Sequence, residues 1–314
     1  MSRLVRTILF LSPLPFAGAV VYTYASRKLA KDFPDIPIQQ LPEGSFTRRI
    51  MEESSARGLA RWGREGSGDK DRPLYAAYTD IYQTTIPRSS LESYGARLLE
   101  GPLSRKAYET DSFTHAFLNS GLMSRHRRLM STKRDEREQR GVFEPGQEAM
   151  GGTMWVLRST AGDSSAPTAP STTAAQRQSA LDSLPPDVQP PSSVPSATGA
   201  PNGIGSTVFF WRMPASIVST CDTLASYGYP WRFMLGGYHE LLVEEAQAPS
   251  AKTEAGAGAG AGADEPMLRV TFTSAHVYER LQGDGKTIPG FGRAMHALFG
   301  RALLASAKRR IESC

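Results

Sequence analysis

Cysteine is nearly absent from this chain: Cys221 and Cys314 are the only two in 314 residues. Two thiols cannot build a disulfide framework or a four-cysteine zinc site. Asparagine is equally scarce, and neither Asn119 nor Asn202 begins an N-x-[ST] sequon. Both absences fit a domain in a reducing compartment. Beyond the first 31 residues net charge is missing as well, because the chain's formal +5 has a local source. The first 31 residues carry five basic side chains (Arg3, Arg6, Arg27, Lys28, Lys31) and no acid; removing those five from the chain's 36 leaves 31 basic residues against 31 acidic ones. The part from Asp32 onward is therefore formally neutral, which argues against a nucleic-acid partner.

Known catalytic signatures are missing too. There is no G-x-S-x-G elbow for a nucleophile. Gly285-Lys286-Thr287 resembles the end of a phosphate-binding loop, but Arg280 stands where its first glycine should be, and Pro289-Gly290 follow where a helix should run. His239-Glu240 begins like a zinc-protease helix, yet Val243 replaces the second histidine and the local pattern is a strand. Cys221 lies on an apolar helical stripe and reads as a buried structural thiol. No metal and no cofactor are expected from these patterns.

What the chain does have is one long uncharged run. Residues 7–26 (TILFLSPLPFAGAVVYTYAS) hold 20 residues without a charge. As a helix they span ~30 Å, the hydrocarbon thickness of a bilayer. Basic residues flank both ends, and Tyr22 and Tyr24 sit where amphipathic rings favour the interface. The expectation is a single-pass anchor, in a mitochondrial or endoplasmic reticulum membrane. A cleaved signal, suggested by the small residues around Thr23-Tyr24-Ala25, and an organelle presequence are the alternatives.

Residues 1–31 are thus read as an anchor, 32–72 as a spacer with one helix around 46–62, and 73–314 as a single α+β domain. Two low-complexity inserts interrupt that domain, at 159–205 and 247–265, since neither buries enough apolar surface to order itself. Strands are expected at 74–86, 152–158, 207–213, 233–245 and 267–279. The inserts then fall at the tips of two hairpins, 152–158 with 207–213 and 233–245 with 267–279. Ser89 and Glu92 form a capping box opening a helix. Ile217, Val218, Cys221, Leu224 and Ala225 form the buried stripe of a helix capped by Gly228. In a terminal helix over 291–312, Phe291, Met295, Leu298, Phe299, Ala302 and Leu303 share an apolar arc, with Arg293, Arg301 and Lys308 opposite. This element order predicts an antiparallel sheet with helices packed on one face, either ferredoxin-like or as a curved sheet gripping the terminal helix.

The segment YGYPWRFMLGGYHE (residues 227–240) is the most informative. Gly236-Gly237 within a strand pattern predicts a bulge or a close backbone approach. The candidate ligand-binding set is Trp231, Tyr238, His239, Glu240 and His276. His239 and His276 lie on strands expected to pair, so the two imidazoles should share a face beneath the terminal helix. Three functions compete: a membrane-tethered binding or accessory domain for a lipid, an apolar small molecule or a partner protein; an enzyme built on His239, Glu240 and His276; and a structural assembly factor of a membrane complex. The absence of a catalytic signature favours the first.

Overall fold

The computed structural model describes residues 13–57, 74–130, 141–150, 153–160, 204–246, 265–279 and 286–314. Within them the helices are α1 (Pro13–Asp32), α2 (Phe46–Arg57), α3 (Arg88–Gly95), α4 (Arg105–Leu118), α5 (Gly121–Met130), α6 (Ala215–Ser226) and α7 (Gly290–Glu312). The strands are β1 (Leu74–Pro87), β2 (Met154–Ser159), β3 (Gly205–Arg212), β4 (Gly236–Glu245) and β5 (Met267–Glu279). They form one five-stranded sheet, ordered β1-β5-β4-β3-β2, with every neighbouring pair antiparallel. The chain is α+β, as its patterning indicated.

Both expected hairpins are present. Ser159 pairs with Thr207, and Glu245 with Leu268. Most of each insert lies outside the described residues. The ferredoxin-like alternative does not fit, because it requires the first strand inside the sheet, whereas β1 is an edge strand paired to β5. The β1 edge is covered by the chain leaving α1: Asp35 bridges to Tyr82, and the Ile36 amide donates to the Ile81 carbonyl at 3.2 Å. Covering an edge in this way removes a template for intermolecular pairing.

Strand alternation divides the sheet into two apolar faces. One face carries Tyr82, Ile86, Leu268, Val270, Phe272, Leu241, Val243, Phe209 and Val156. Against it pack Leu91, Phe113, Phe117, Leu304, Ala307 and Ile311 from α3, α4 and α7. The other face carries Val208, Phe210, Tyr238 and Val277, and receives Phe46 and Ile50 of α2. Helices therefore cover both faces, which corrects the expected one-sided packing. The region read as a spacer supplies the second layer, since Phe46 and Ile50 are buried and so are Phe33 and Leu41 before them.

Helix α7 is rotated from the predicted arc. Its buried residues include Gly300, Arg301, Leu303, Leu304, Ala307 and Ile311, while Phe291 and Met295 are exposed. Gly300 sets this rotation. A Cβ there would stand 2.7 Å from Cε2 of Tyr82 and 3.3 Å from Cε1 of Phe272, so glycine lets the helix sit on those rings. Arg301, expected in solvent, is instead covered by the chain after α1. Its guanidinium lies 4.6 Å from the Tyr82 ring centre, donates to the Phe33 carbonyl and pairs with Asp35. Two smaller expectations also shift. Pro87, not Ser89, is the N-cap of α3, and the Ser89 hydroxyl bonds Glu265. In α6 only Val218 and Ala225 of the predicted stripe are buried, whereas Ile217 and Leu224 are exposed. Gly228 ends that helix with φ +93°, as its position suggested.

Residues 7–12 of the expected anchor lie outside the described residues. Among the described residues no helix is long and apolar enough to cross a membrane. The last turn of α1 packs on the domain through Leu29, beside the buried Phe33.

Candidate functional site

The five candidate residues separate into three places. Register puts His239 opposite Ser274 and Gly237 opposite His276, so the two histidines are diagonal neighbours on one face, ~7–8 Å apart by antiparallel geometry. That face is the one covered by α7, as expected. Tyr238 and Glu240 alternate onto the opposite face. Tyr238 packs edge-on against Phe46, with ring centres 5.2 Å apart. The Glu240 carboxylate accepts from the Ser45 hydroxyl at 2.7 Å and from the Phe46 and Thr47 amides at 2.9 Å each. It anchors the N-terminus of α2 and is no partner for His239. Trp231 lies before β4 in a loop, 40% exposed, against Tyr229.

The double glycine works by close approach, not by a bulge. The β4–β5 register runs unbroken through Gly236 and Gly237. A Cβ on Gly237 would meet the Ala275 carbonyl oxygen at 2.0 Å and Trp211 Cζ2 at 3.1 Å. Glycine thus makes room for Trp211, whose ring stacks on His239 at 5.5 Å and stands edge-on to His276 at 6.0 Å. Trp211, not Trp231, supplies the aromatic wall.

The bulge that matters is in β1. Ala76 pairs with Val277 and Tyr78 with His276, so Ala77 is the extra residue. The shift brings Tyr78, Asp80 and Tyr82 onto the α7 side. Tyr78 then stacks on His276, with ring centres 4.3 Å apart. Asp80 reaches two imidazoles at once: its Oδ2 lies 3.1 Å from His276 Nε2 and 2.8 Å from His296 Nδ1. His296 comes from α7 and meets the His276 ring edge-on at 4.3 Å. On its other side His276 has Nδ1 3.2 Å from Met234 Sδ, and Ser274 Oγ is 3.2 Å from Nε2. The His276 side chain is fully buried, while Asp80 and His296 are 14% and 24% exposed, so the cluster opens outward along the β1–α7 seam.

The electrostatics follow from this burial gradient. Burial pushes the His276 imidazole down to about 4, against the upward pull of the Asp80 contact. His239 is pushed well below its ordinary value by burial and by the neighbouring imidazoles. Burial alone would raise the Asp80 carboxyl, but its bonds from His276 and His296 hold it well below the usual carboxylate range. The two partners move in the same direction because desolvation dominates at His276. At neutral pH that contact is a neutral imidazole facing a carboxylate, not an ion pair. Two polar atoms beside it, Nδ1 of His239 and Nε1 of Trp211, are buried with no hydrogen-bond partner among the described residues.

Asp80 and His296 escaped the sequence reading. A signal for Asp80 was present: an acid flanked at ±2 by Tyr78 and Tyr82 within a β-branched and aromatic strand, where Asp is depleted. His296 carried none, because helical periodicity does not fix which face of α7 meets the sheet. Comparison of the chain with family models, curated proteins and solved structures returns no match.

Proposed function

We propose that this chain is a membrane-tethered binding domain whose ligand is held at Asp80, His276 and His296, between the sheet and the terminal helix. The observation that carries the reading is the polar cluster itself. One carboxylate and two imidazoles sit among Tyr78, Tyr82, Trp211 and Phe272, with unpartnered atoms of His239 and Trp211 beside them. An unsatisfied buried polar group costs ~1–3 kcal/mol, and such groups call for a partner. An apolar molecule or lipid bearing one polar head suits an aromatic wall with a convergent polar centre. The tether is supported by the uncharged residues 7–26 and their basic flanks. With Leu29 packed on the domain, α1 would hold the site close to the membrane surface.

The test is mass spectrometry of molecules co-purified with full-length chain extracted in detergent, beside the Asp80→Asn and His296→Gln variants. A molecule enriched with the native chain and lost from both variants supports the reading; equal recovery from all three sinks it. Carbonate extraction of membranes tests the tether, and release of the full chain would refute it.

The Asp80–His296 contact favours a second reading, an enzyme. A carboxylate on Nδ1 orients an imidazole as a general base. Glu240 has no part in it. A panel of ester and phosphoester substrates would show turnover abolished in His296→Gln; no turnover by the native chain removes this reading.

A further inference from the structure

We infer that Asp80, His276 and His296 form a site for one divalent transition-metal ion of the zinc or iron(II) class. The inference rests on the ligand-binding reading in taking the same polar centre as the site, and it names what first occupies that centre. The three donor atoms, one from each residue, lie within 4.8 Å of one another. Two of the separations are 3.1 and 2.8 Å. Ligands at ~2.0–2.1 Å from a common ion are ~2.9–3.4 Å apart, so the two contacts to Asp80 fit nearly as they stand, while the two imidazole nitrogens, within 4.8 Å of each other, would close toward the ion as it binds.

Hydrogen bonding at His276 points the same way. A neutral imidazole has one N–H. If it is on Nδ1, it donates to the Met234 sulfur at 3.2 Å, and the Nε2 lone pair then faces the Asp80 carboxylate at 3.1 Å, with the Ser274 hydroxyl, 3.2 Å away, as its donor. If it is on Nε2, it donates to the Asp80 carboxylate and the Nδ1 lone pair is left facing the sulfur. A cation among the three donors gives both ring nitrogens a partner: Nε2 ligates, Nδ1–H donates to sulfur, and the carboxylate faces positive charge. Ligating histidines are ordinarily held in this way by a bond from the second nitrogen, although sulfur is a weak acceptor.

Donor chemistry selects the ion. Two nitrogens and one oxygen suit zinc, iron, cobalt or nickel and not the all-oxygen shells of calcium and magnesium. Three protein ligands leave at least one position open. That position lies toward the seam, where Asp80 and His296 reach the surface. The ligands come from β1, β5 and α7, so two strands and a helix fix the geometry, with no loop involved.

The experiment uses the full-length chain in detergent, without a polyhistidine tag. It is stripped with EDTA and then titrated with Zn²⁺ alone and with Co²⁺ alone. One ion per chain and visible Co²⁺ ligand-field bands are expected. Asp80→Asn and His296→Gln should each weaken binding at least about ten-fold, with thermal midpoints showing that both remain folded; both side chains are partly exposed, so folding is not at risk as it is at His276. A Cys221→Ser/Cys314→Ser chain should bind as the native one does. No uptake at micromolar metal, uptake undiminished in both site variants, or uptake lost with the cysteines would each overturn the inference. Ion uptake with no co-purified organic molecule sinks the ligand reading and spares the ion. A co-purified molecule that survives stripping, with no ion uptake, does the reverse.

Discussion

Replacing Glu240 with alanine separates a structural carboxylate from a functional one. Glu240 is fully buried and accepts three hydrogen bonds, from the Ser45 hydroxyl and the Phe46 and Thr47 amides. It stands at the positive end of α2, where a helix leaves its first amides without internal partners. Alanine would strand those donors inside the protein. Each bond to a charged acceptor contributes ~1.5–3 kcal/mol, and the contributions are not additive. A loss of ~3–5 kcal/mol is the expected range for breaking a buried charged network. For a domain of this size each kcal/mol lowers the thermal midpoint by ~2–4 °C, which gives a fall of ~6–20 °C. Differential scanning calorimetry measures the fall, and limited proteolysis after Arg57 reports whether α2 has loosened. Glu240→Gln keeps one carbonyl acceptor and should lose about half as much. At a temperature where both variants are folded, Co²⁺ binding should match the native chain, because Glu240 faces away from Asp80 and the histidines. A midpoint change below about 2 °C in Glu240→Ala would refute the capping role. Loss of ligand or metal with the midpoint intact would return Glu240 to the site.

Further outcomes follow from other positions. Burial lifts the Asp111 carboxyl to about 7, against bonds from the Phe143 amide and Ser159. The folded state therefore holds that proton more tightly than the unfolded state, and stability falls as pH rises from about 4 to about 7. Asp111→Asn should be neutral at pH 4 and stabilising by ~1–3 kcal/mol at pH 8; equal urea midpoints for both chains at both values would refute this. Gly300→Ala drives a methyl into the buried Tyr82 ring, 2.7 Å away, and overpacking of this kind costs ~1–3 kcal/mol. It should also weaken metal binding by lifting His296 one turn away, and an unchanged midpoint with full Co²⁺ binding would sink the argument. Deleting residues 166–196 or 255–263 should move the thermal midpoint by less than about 2 °C, since loop entropy changes slowly with length; a larger fall would show that these tips belong to the packed structure.

Local patterning carried much of the fold. Each strand was legible from alternation and β-branched content, and both hairpins from composition breaks between runs that could pair. The role of residues 33–57 was not legible. Phe46 and Ile50 are too few to signal a packing face, and burial of that stretch depends on Glu240, nearly two hundred residues away, reaching the first turn of α2. A contact of that separation leaves no trace in local periodicity.

The site was half legible for a related reason. His239 and His276 share a face because the β4–β5 pairing is continuous, and pairing plus a period of two is enough to say so. Asp80 required the phase of β1 against β5, which Ala77 shifts by one residue. Read without that bulge, one end of the strand is assigned to the wrong face. His296 required the rotation of α7, set by Gly300 on Tyr82 and by the chain after α1 on Arg301. Periodicity reports which residues share a face but not which face meets which neighbour. The two residues that complete the cluster are the two whose phase is decided across elements distant in the chain. A search for such sites is therefore better aimed at isolated acids inside aromatic strands and histidines one turn from a helix glycine than at sequence-adjacent pairs such as His239-Glu240, which a strand necessarily sends to opposite faces.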